Sequence, residues 1–409
     1  MNIYVALDRR LYGPQGAMRH LLVRIEAPRS ERPPSERAPL DIELVLDRSG
    51  SMGGAKIEYT KRAASMAVNL LRETDRCGLV AYDDEILALA HCEPVGGSQG
   101  SRLQGAIGQL YARGSTNLFG GWMAGAEELS RLEEERVRRV MLMTDGLANA
   151  GVTDRGEILH HVQELAARGV GTTTFGVGLD FDEILVSGMA EAGSGHFYYI
   201  ERPEQIPDFL ASELGELLRV AARSVRLAVV VSGGATIHNL NEVPLIGTLY
   251  HLGDLAQGSL TDLCFVLDVP PGAAASTDVR VTLTWQDVES GEERTNSSDT
   301  RLLAAPEPEV EAEAPDAETM EKAVKARSAK ARTEALRLND AGDFVAASRC
   351  ISLESAVLNE MAVDYAPAAE EAATLRSAEP SFSRAIASID KKRMMYANYR
   401  ARRSRKDVE

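Results

Sequence analysis

Between Leu40 and about Ser224, short apolar runs alternate with stretches of helical spacing, and this alternation restricts the fold more than any other feature of the chain. Asp41–Asp47, Gly78–Tyr82, Ile86–Cys92, Arg139–Thr144, Thr172–Val177 and His196–Ile200 read as strands. Ile57–Arg72, Leu103–Ala112, Trp122–Arg131, Arg155–Ala167 and Ile206–Ala221 repeat their apolar residues at helical spacing. Only three residues separate Gly78–Tyr82 from Ile86–Cys92, so that pair must form a hairpin. Strands alternating with helices predict a doubly wound α/β unit, its sheet mostly parallel with one antiparallel edge.

The texture changes on both sides of this unit. Val225–Val231, Leu245–Leu252, Leu260–Val269 and Val279–Trp285 are strand-like runs between turn residues, which predicts an antiparallel β-sandwich. Two earlier runs, Ile3–Leu7 and His20–Ile25, have no helices of their own and are expected to complete that sandwich, making the α/β unit an insertion. Residues 305–321 hold seven acids (Glu307, Glu309, Glu311, Glu313, Asp316, Glu318, Glu321), three prolines and no base, and read as an extended, self-repelling linker. Beyond it, Lys322–Asn339, Phe344–Met361, Ala368–Ser377 and Ser383–Arg405 have helical spacing, with breaks expected at Pro367 and Pro380. The expected organisation is N-terminal strands 1–28, a charged proline-rich linker 29–39, the α/β domain 40–222, the sandwich 223–304, the acidic linker 305–318 and a helical region 319–409.

Composition removes several functions. The 409 residues carry 45 basic against 61 acidic side chains, a formal net charge of −16, which opposes generic nucleic-acid binding. Cys77, Cys92, Cys264 and Cys350 fall at no metal-ligand spacing and are too sparse for a disulfide framework. No apolar run is long enough to span a membrane, and the first residues lack a signal-peptide apolar stretch, so a cytoplasmic protein is expected.

One constellation carries chemistry. Asp47-Arg48-Ser49-Gly50-Ser51 ends the first apolar strand of the α/β unit, where oxygens at alternate positions can face one side. A carboxylate with two hydroxyls suits Mg²⁺ or Mn²⁺ and suits Zn²⁺ poorly. Ser115-Thr116-Asn117 lies in a glycine-flanked loop, and Thr144-Asp145-Gly146 ends another strand. In open α/β sheets, ligands bind at the carboxyl ends of strands. Asp83-Asp84, at the hairpin tip, reads as a solvated turn. The cluster Lys391, Lys392, Arg393, Arg400, Arg402, Arg403, Arg405 and Lys406 reads as a solvated helix face or a dock for the acidic linker.

Asp47-x-Ser49-x-Ser51, Thr116 and Thr144-Asp145-Gly146, in this order and at these separations, resemble the metal-ion-dependent adhesion site of von Willebrand factor type A domains, over roughly residues 40–222. The text Leu44–Met52 is similar to the intracellular bacterial branch of that family. The resemblance implies that Asp47, Ser49, Ser51, Thr116 and Asp145 form a Mg²⁺ site, with Mn²⁺ or Ca²⁺ as alternatives. Ser49 and Ser51 would bind the metal directly and Thr116 directly or through water, with Asp47 and Asp145 as carboxylate partners. It further implies a non-enzymatic module that captures a Glu or Asp side chain of a partner protein, as a cytosolic scaffold or adaptor. MoxR-type AAA+ ATPases and kinase or phosphatase signalling proteins are the partner classes it suggests. An exported adhesin using the same site is the alternative, and a metal-dependent hydrolase comes last, because no His or Lys is evident in the three loops.

Overall fold

The computed structural model describes residues 1–29, 37–132, 136–288 and 290–403. Most of the segment 29–39 expected as a linker lies outside them. The chain opens with β1 (Asn2–Leu7), the two-residue β2 (Leu11–Tyr12) and β3 (Ala17–Glu26).

The α/β unit follows as β4 (Leu40–Asp47), α1 (Ala55–Leu70), β5 (Arg76–Tyr82), β6 (Ile86–Pro94), α2 (Gln99–Gly108), α3 (Leu118–Ser130), β7 (Val137–Thr144), α4 (Arg155–Ala167), β8 (Val170–Val177), α5 (Glu183–Ala192), β9 (Ser194–Ile200) and α6 (Ile206–Leu217). Its sheet has the order β6-β5-β4-β7-β8-β9, parallel except for the β5–β6 hairpin. All eight residues of β4 are buried, as a strand covered on both faces requires. Leu44 and Leu46 pack toward Ile57 and Ala64 of α1, whereas Val45 joins the cluster of Trp122 and Leu118 from α3. The chain runs outward from β4 to β5 and β6, then returns to β7 on the other side of β4. The carboxyl ends of β4 and β7 therefore flank the switch point.

Next come β10 (Val220–Val231), β11 (Thr236–Asn239), β12 (Leu245–Ile246), β13 (Leu249–Ala256), β14 (Leu260–Val269), β15 (Ser276–Asp287) and β16 (Glu293–Ala304). One sheet has the order β1-β3-β14-β11 and the other β12-β13-β10-β15-β16-β2. Strand β3 pairs with β14 along ten positions, from Glu26 opposite Leu260 to Ala17 opposite Val269. The chain thus leaves this two-sheet unit after β3 and re-enters it at β10. Leu21, Val23 and Phe265 of one sheet and Leu227, Val281 and Trp285 of the other share one hydrophobic cluster.

The remainder is helical: α7 (Glu307–Ala312), α8 (Ala317–Asp340), α9 (Phe344–Met361), α10 (Ala368–Phe382) and α11 (Ser388–Arg403). No helix among the described residues is long and apolar enough to cross a membrane.

Several expectations are corrected. Residues 305–318 are not an extended linker. Pro306 precedes α7, whose first-turn Glu307 and Glu309 favour its positive end. The Glu313 carboxylate then accepts the backbone N–H groups of Arg10 and Leu11, each at 2.9 Å, and Asp316 caps α8 by accepting from Thr319 N–H at 2.8 Å. These N–H partners offset the self-repulsion that charge counting alone exaggerates. Leu245–Leu252 is not one strand but turns at Gly247, where φ is +62°. Pro380 lies inside α10 and does not end it. The predicted helix to Ala221 stops at Leu217, and the next strand begins at Val220.

The basic C-terminal helix is solvated on one face only, where Arg393 and Arg400 are exposed; its other face straps the α/β unit to its neighbours. Lys392 is buried, donating to Glu183 at 2.8 Å with its ammonium 4.6 Å from the Phe181 ring centroid. Tyr396 and Tyr399 meet Phe197 edge-on, and the Tyr399 hydroxyl donates to the Gly195 carbonyl at 3.0 Å. The Arg402 guanidinium bridges Glu191 of α5 and Glu242 of the two-sheet unit. Arg405 and Lys406 lie outside the described residues.

Candidate metal centre

At the switch point, five oxygen-bearing side chains from three loops converge. Asp47, the last residue of β4, is fully buried, and its two carboxylate oxygens have different tasks. One accepts the Ser49 N–H at 2.7 Å, shaping the loop; the other accepts the Thr144 hydroxyl at 2.8 Å, tying β4 to β7. The Ser49 and Ser51 hydroxyls lie 3.1 Å apart, and Ser51 donates to Asp145 at 2.7 Å. A Cβ built on Gly146 would lie 3.0 Å from the Thr116 hydroxyl and 3.7 Å from that of Ser51. Glycine there keeps open the cleft in which these two hydroxyls meet. Thr116 is held from both sides: its N–H donates to Asn149 at 2.8 Å, and its carbonyl accepts from the Asn149 and Ala150 N–H groups.

Two groups were misjudged from sequence. Lys56, in the first turn of α1, places its ammonium against the second oxygen of Asp145, so a lysine does reach this cleft. Its position five residues after Ser51, where the strand has just turned into a helix, was the available signal. Asp83 is fully buried rather than solvated, paired with Arg48 at 2.9 Å and Arg113 at 3.2 Å. Its carbonyl accepts from Asn117 N–H at 2.8 Å, so the hairpin tip fixes both the Asp47–Ser51 loop and the Thr116 loop. Gly114 serves the same junction, with φ at +70° and no room for a Cβ beside Asp84.

Burial pushes the Asp47 carboxyl up to about 6; the hydrogen bonds from Ser49 and Thr144 oppose the rise, and the neighbouring Asp145 charge adds to it. Two fully buried carboxylates with one partly exposed lysine are short of positive charge. Among the described residues no group of three or more His, Cys, Asp or Glu side chains is arranged to hold a metal, so a cation here would depend on the hydroxyls. Three hydroxyls and two carboxylates are a donor set for a hard divalent cation, and the residues present fit one.

The model of the von Willebrand factor type A domain matches residues 41–212. The uncharacterized protein sll0103 of Synechocystis is 31% identical over 193 residues, covering 47% of this chain and 44% of that protein. The uncharacterized protein YfbK of Escherichia coli K12 is 27% identical over 212 residues, covering 51% of this chain and 36% of that one. The chain thus spans less than half the length of these curated relatives. A solved von Willebrand factor type A protein from Catenulispora acidiphila superposes with a TM-score of 0.72 at 18% identity, covering 98% of this chain and 96% of that one. That likeness is one of fold, and it extends over nearly the whole chain.

Proposed function

With residues 41–212 forming a von Willebrand factor type A domain, we propose that the cleft at the switch point is an adhesion-type metal site through which this chain binds partner proteins. Domains of this type are generally interaction modules. Ser49, Ser51 and Thr116 would hold Mg²⁺ with Asp47 and Asp145 as carboxylate partners; Mn²⁺ or Ca²⁺ would use the same oxygens. A bound cation would supply an electrophilic position for one Glu or Asp oxygen of a partner. The observation that carries this reading is the meeting of three hydroxyls with two fully buried, cation-poor carboxylates. Lys56 balances Asp145 and leaves the Asp47 carboxyl pushed up.

The rest of the chain does the positioning. The two-sheet unit, read as a β-sandwich, and the helical region hold the α/β unit by its lower edge and by α5 and β9, leaving the cleft end for a partner. This supports a scaffold or adaptor rather than an enzyme. Four free cysteines, three of them buried, support a reducing, cytosolic setting. MoxR-type ATPases and kinase or phosphatase signalling proteins are the partner classes to test first. The test uses arrayed peptides bearing single Glu or Asp residues. Capture in Mg²⁺ should vanish in EDTA, in Asp47→Ala, and when the peptide acid becomes Gln or Asn. Capture that survives all three refutes the reading.

A further inference from the structure

In the middle of β4, beneath α3, lies a carboxyl that no donor meets. Glu43 is fully buried, and neither of its oxygens has a hydrogen-bond partner among the described residues. Room for it comes from two elements. A Cβ on Gly78, its register partner on β5, would overlap the carboxyl, and a Cβ on Gly125 of α3 would lie 2.9 Å from the Glu43 Cγ. The same Gly125 rests on Val45, the next residue of that face, so α3 is seated directly across the acid. An acid in such a site is tolerable when neutral and costly when ionised.

The ionisable groups around Glu43 offer its charge no compensation. Asp41 shares its face of β4, and the nearby arginines serve Asp41 instead: Arg136 at 3.2 Å, Arg76 of β5 at 4.0 Å, and Arg138 of β7 opposite it in register. Burial, and then the Glu43 charge, pushes up the thiols of Cys77 on β5 and Cys92 on β6, which therefore stay neutral. From α3 comes another acid, Glu128, paired with His91 of β6 at 3.2 Å and with Arg131 at 3.6 Å. Burial first, and the Glu128 charge second, push the Glu43 carboxyl well above its ordinary value of 4.5.

Helix α3 is joined to the cleft through its first turn. Asn117 caps it, accepting the Gly120 N–H at 3.0 Å, and Thr116 is the residue before that cap. We propose that Glu43 is a proton-operated latch: with the proton in place α3 stays seated on the sheet, and its loss unseats α3 and frees the Thr116 loop. The consequence for a cation at Thr116 rests on the adhesion-site reading; the latch itself does not. Unseating α3 returns Glu43 to water, so above pH 4.5 each opening releases one proton. The opening constant then rises about tenfold per pH unit until the folded carboxyl itself ionises.

Hydrogen exchange of the full chain tests this, run in EDTA at pH 5.5, 6.5 and 7.5 with rates corrected for intrinsic base catalysis. In the wild type, protection of Leu118–Ser130 and of the Thr116 and Asn117 amides should fall by close to tenfold per pH unit. Glu43→Gln and Glu43→Met should abolish that dependence, the Met variant guarding against failure of a buried amide to fold. Asp47, pushed up to about 6, is common to all three proteins, so the difference between them isolates Glu43. Helix α1, on the other face of the sheet, should keep a slope that the variants do not change. The same slope in wild type and both variants overturns the proposal. So does an equal Glu43-dependent loss in α1 and α3, or a Thr116 loop that stays protected while α3 opens. Because no metal is present, a failed Mg²⁺ titration would refute the adhesion-site reading and leave these outcomes as they stand.

Discussion

Two fully buried carboxylates, Asp47 and Glu213, sit in the same α/β unit and behave in opposite ways. Asp47, at the carboxyl end of β4, is pushed up to about 6 by burial, with Asp145 adding to the rise. Burial would also raise Glu213 of α6, but His196 and Arg139, with a hydrogen bond from the Thr173 hydroxyl, outweigh it and hold the carboxyl at about 2. Burial is common to both, so the neighbours decide. The upper end of the sheet collects carboxylates and hydroxyls beside the start of α1, and the lower end collects arginines, Arg168 among them at the end of α4. Helix dipoles favour this arrangement, anions at helix starts and cations at helix ends. From Arg138 to Asp145 along β7 the two chemistries lie roughly 23 Å apart.

The largest blow to this contrast should come from the lower end. Arg139→Ala removes a buried guanidinium and leaves Asp254 without its 3.1 Å partner. We expect a loss of about 3–5 kcal/mol in urea unfolding. It should also let the Glu213 carboxyl rise. A loss under about 1 kcal/mol would mean the arginine cluster is merely solvated.

A pH series sharpens the same contrast. Because the folded Glu213 carboxyl lies below the ordinary carboxylate value of 4.5, its stabilisation is complete above that value and is lost as pH falls toward about 2. The stability gap between wild type and Glu213→Gln should therefore be widest near neutrality and shrink by roughly 3 kcal/mol on acidification to about pH 2. Urea midpoints along the series report it, and a gap independent of pH would break the comparison.

The smallest effect belongs to the upper end. Lys56 is partly exposed, so Lys56→Ala should cost about 1 kcal/mol in EDTA. That deficit should disappear in Mg²⁺, since a bound cation would take over the charge balance at Asp145. A deficit unchanged by Mg²⁺ would separate the lysine from any metal site.

How legible each end was follows from how it is assembled. The upper end rests on short contiguous stretches, Asp47–Ser51 and Thr144–Gly146, and strand ends place these predictably, so the residues that converge could be named from sequence. Asp83 could not be judged the same way, because its burial depends on Arg48 and Arg113 arriving from separate loops. Lys56 was hidden for a similar reason: its long side chain reaches back past the helix start. Strand β16 escaped because Leu302 is its sole buried residue, leaving no alternation to read. Helix α5 was missed as well, being short and continuous with its flanking apolar runs. The lower-end arginines were not singled out, because the run Arg136-Val137-Arg138-Arg139 meets Arg223 and Arg226 only once the two units pack together.

The central claim is tested most directly by calorimetric titration of metal-stripped full chain with Mg²⁺ and, separately, Mn²⁺. The account predicts one site in the wild type and none in Ser49→Ala/Ser51→Ala, with the circular dichroism spectrum unchanged. Equal binding by the two proteins, or no binding by the wild type, would contradict it.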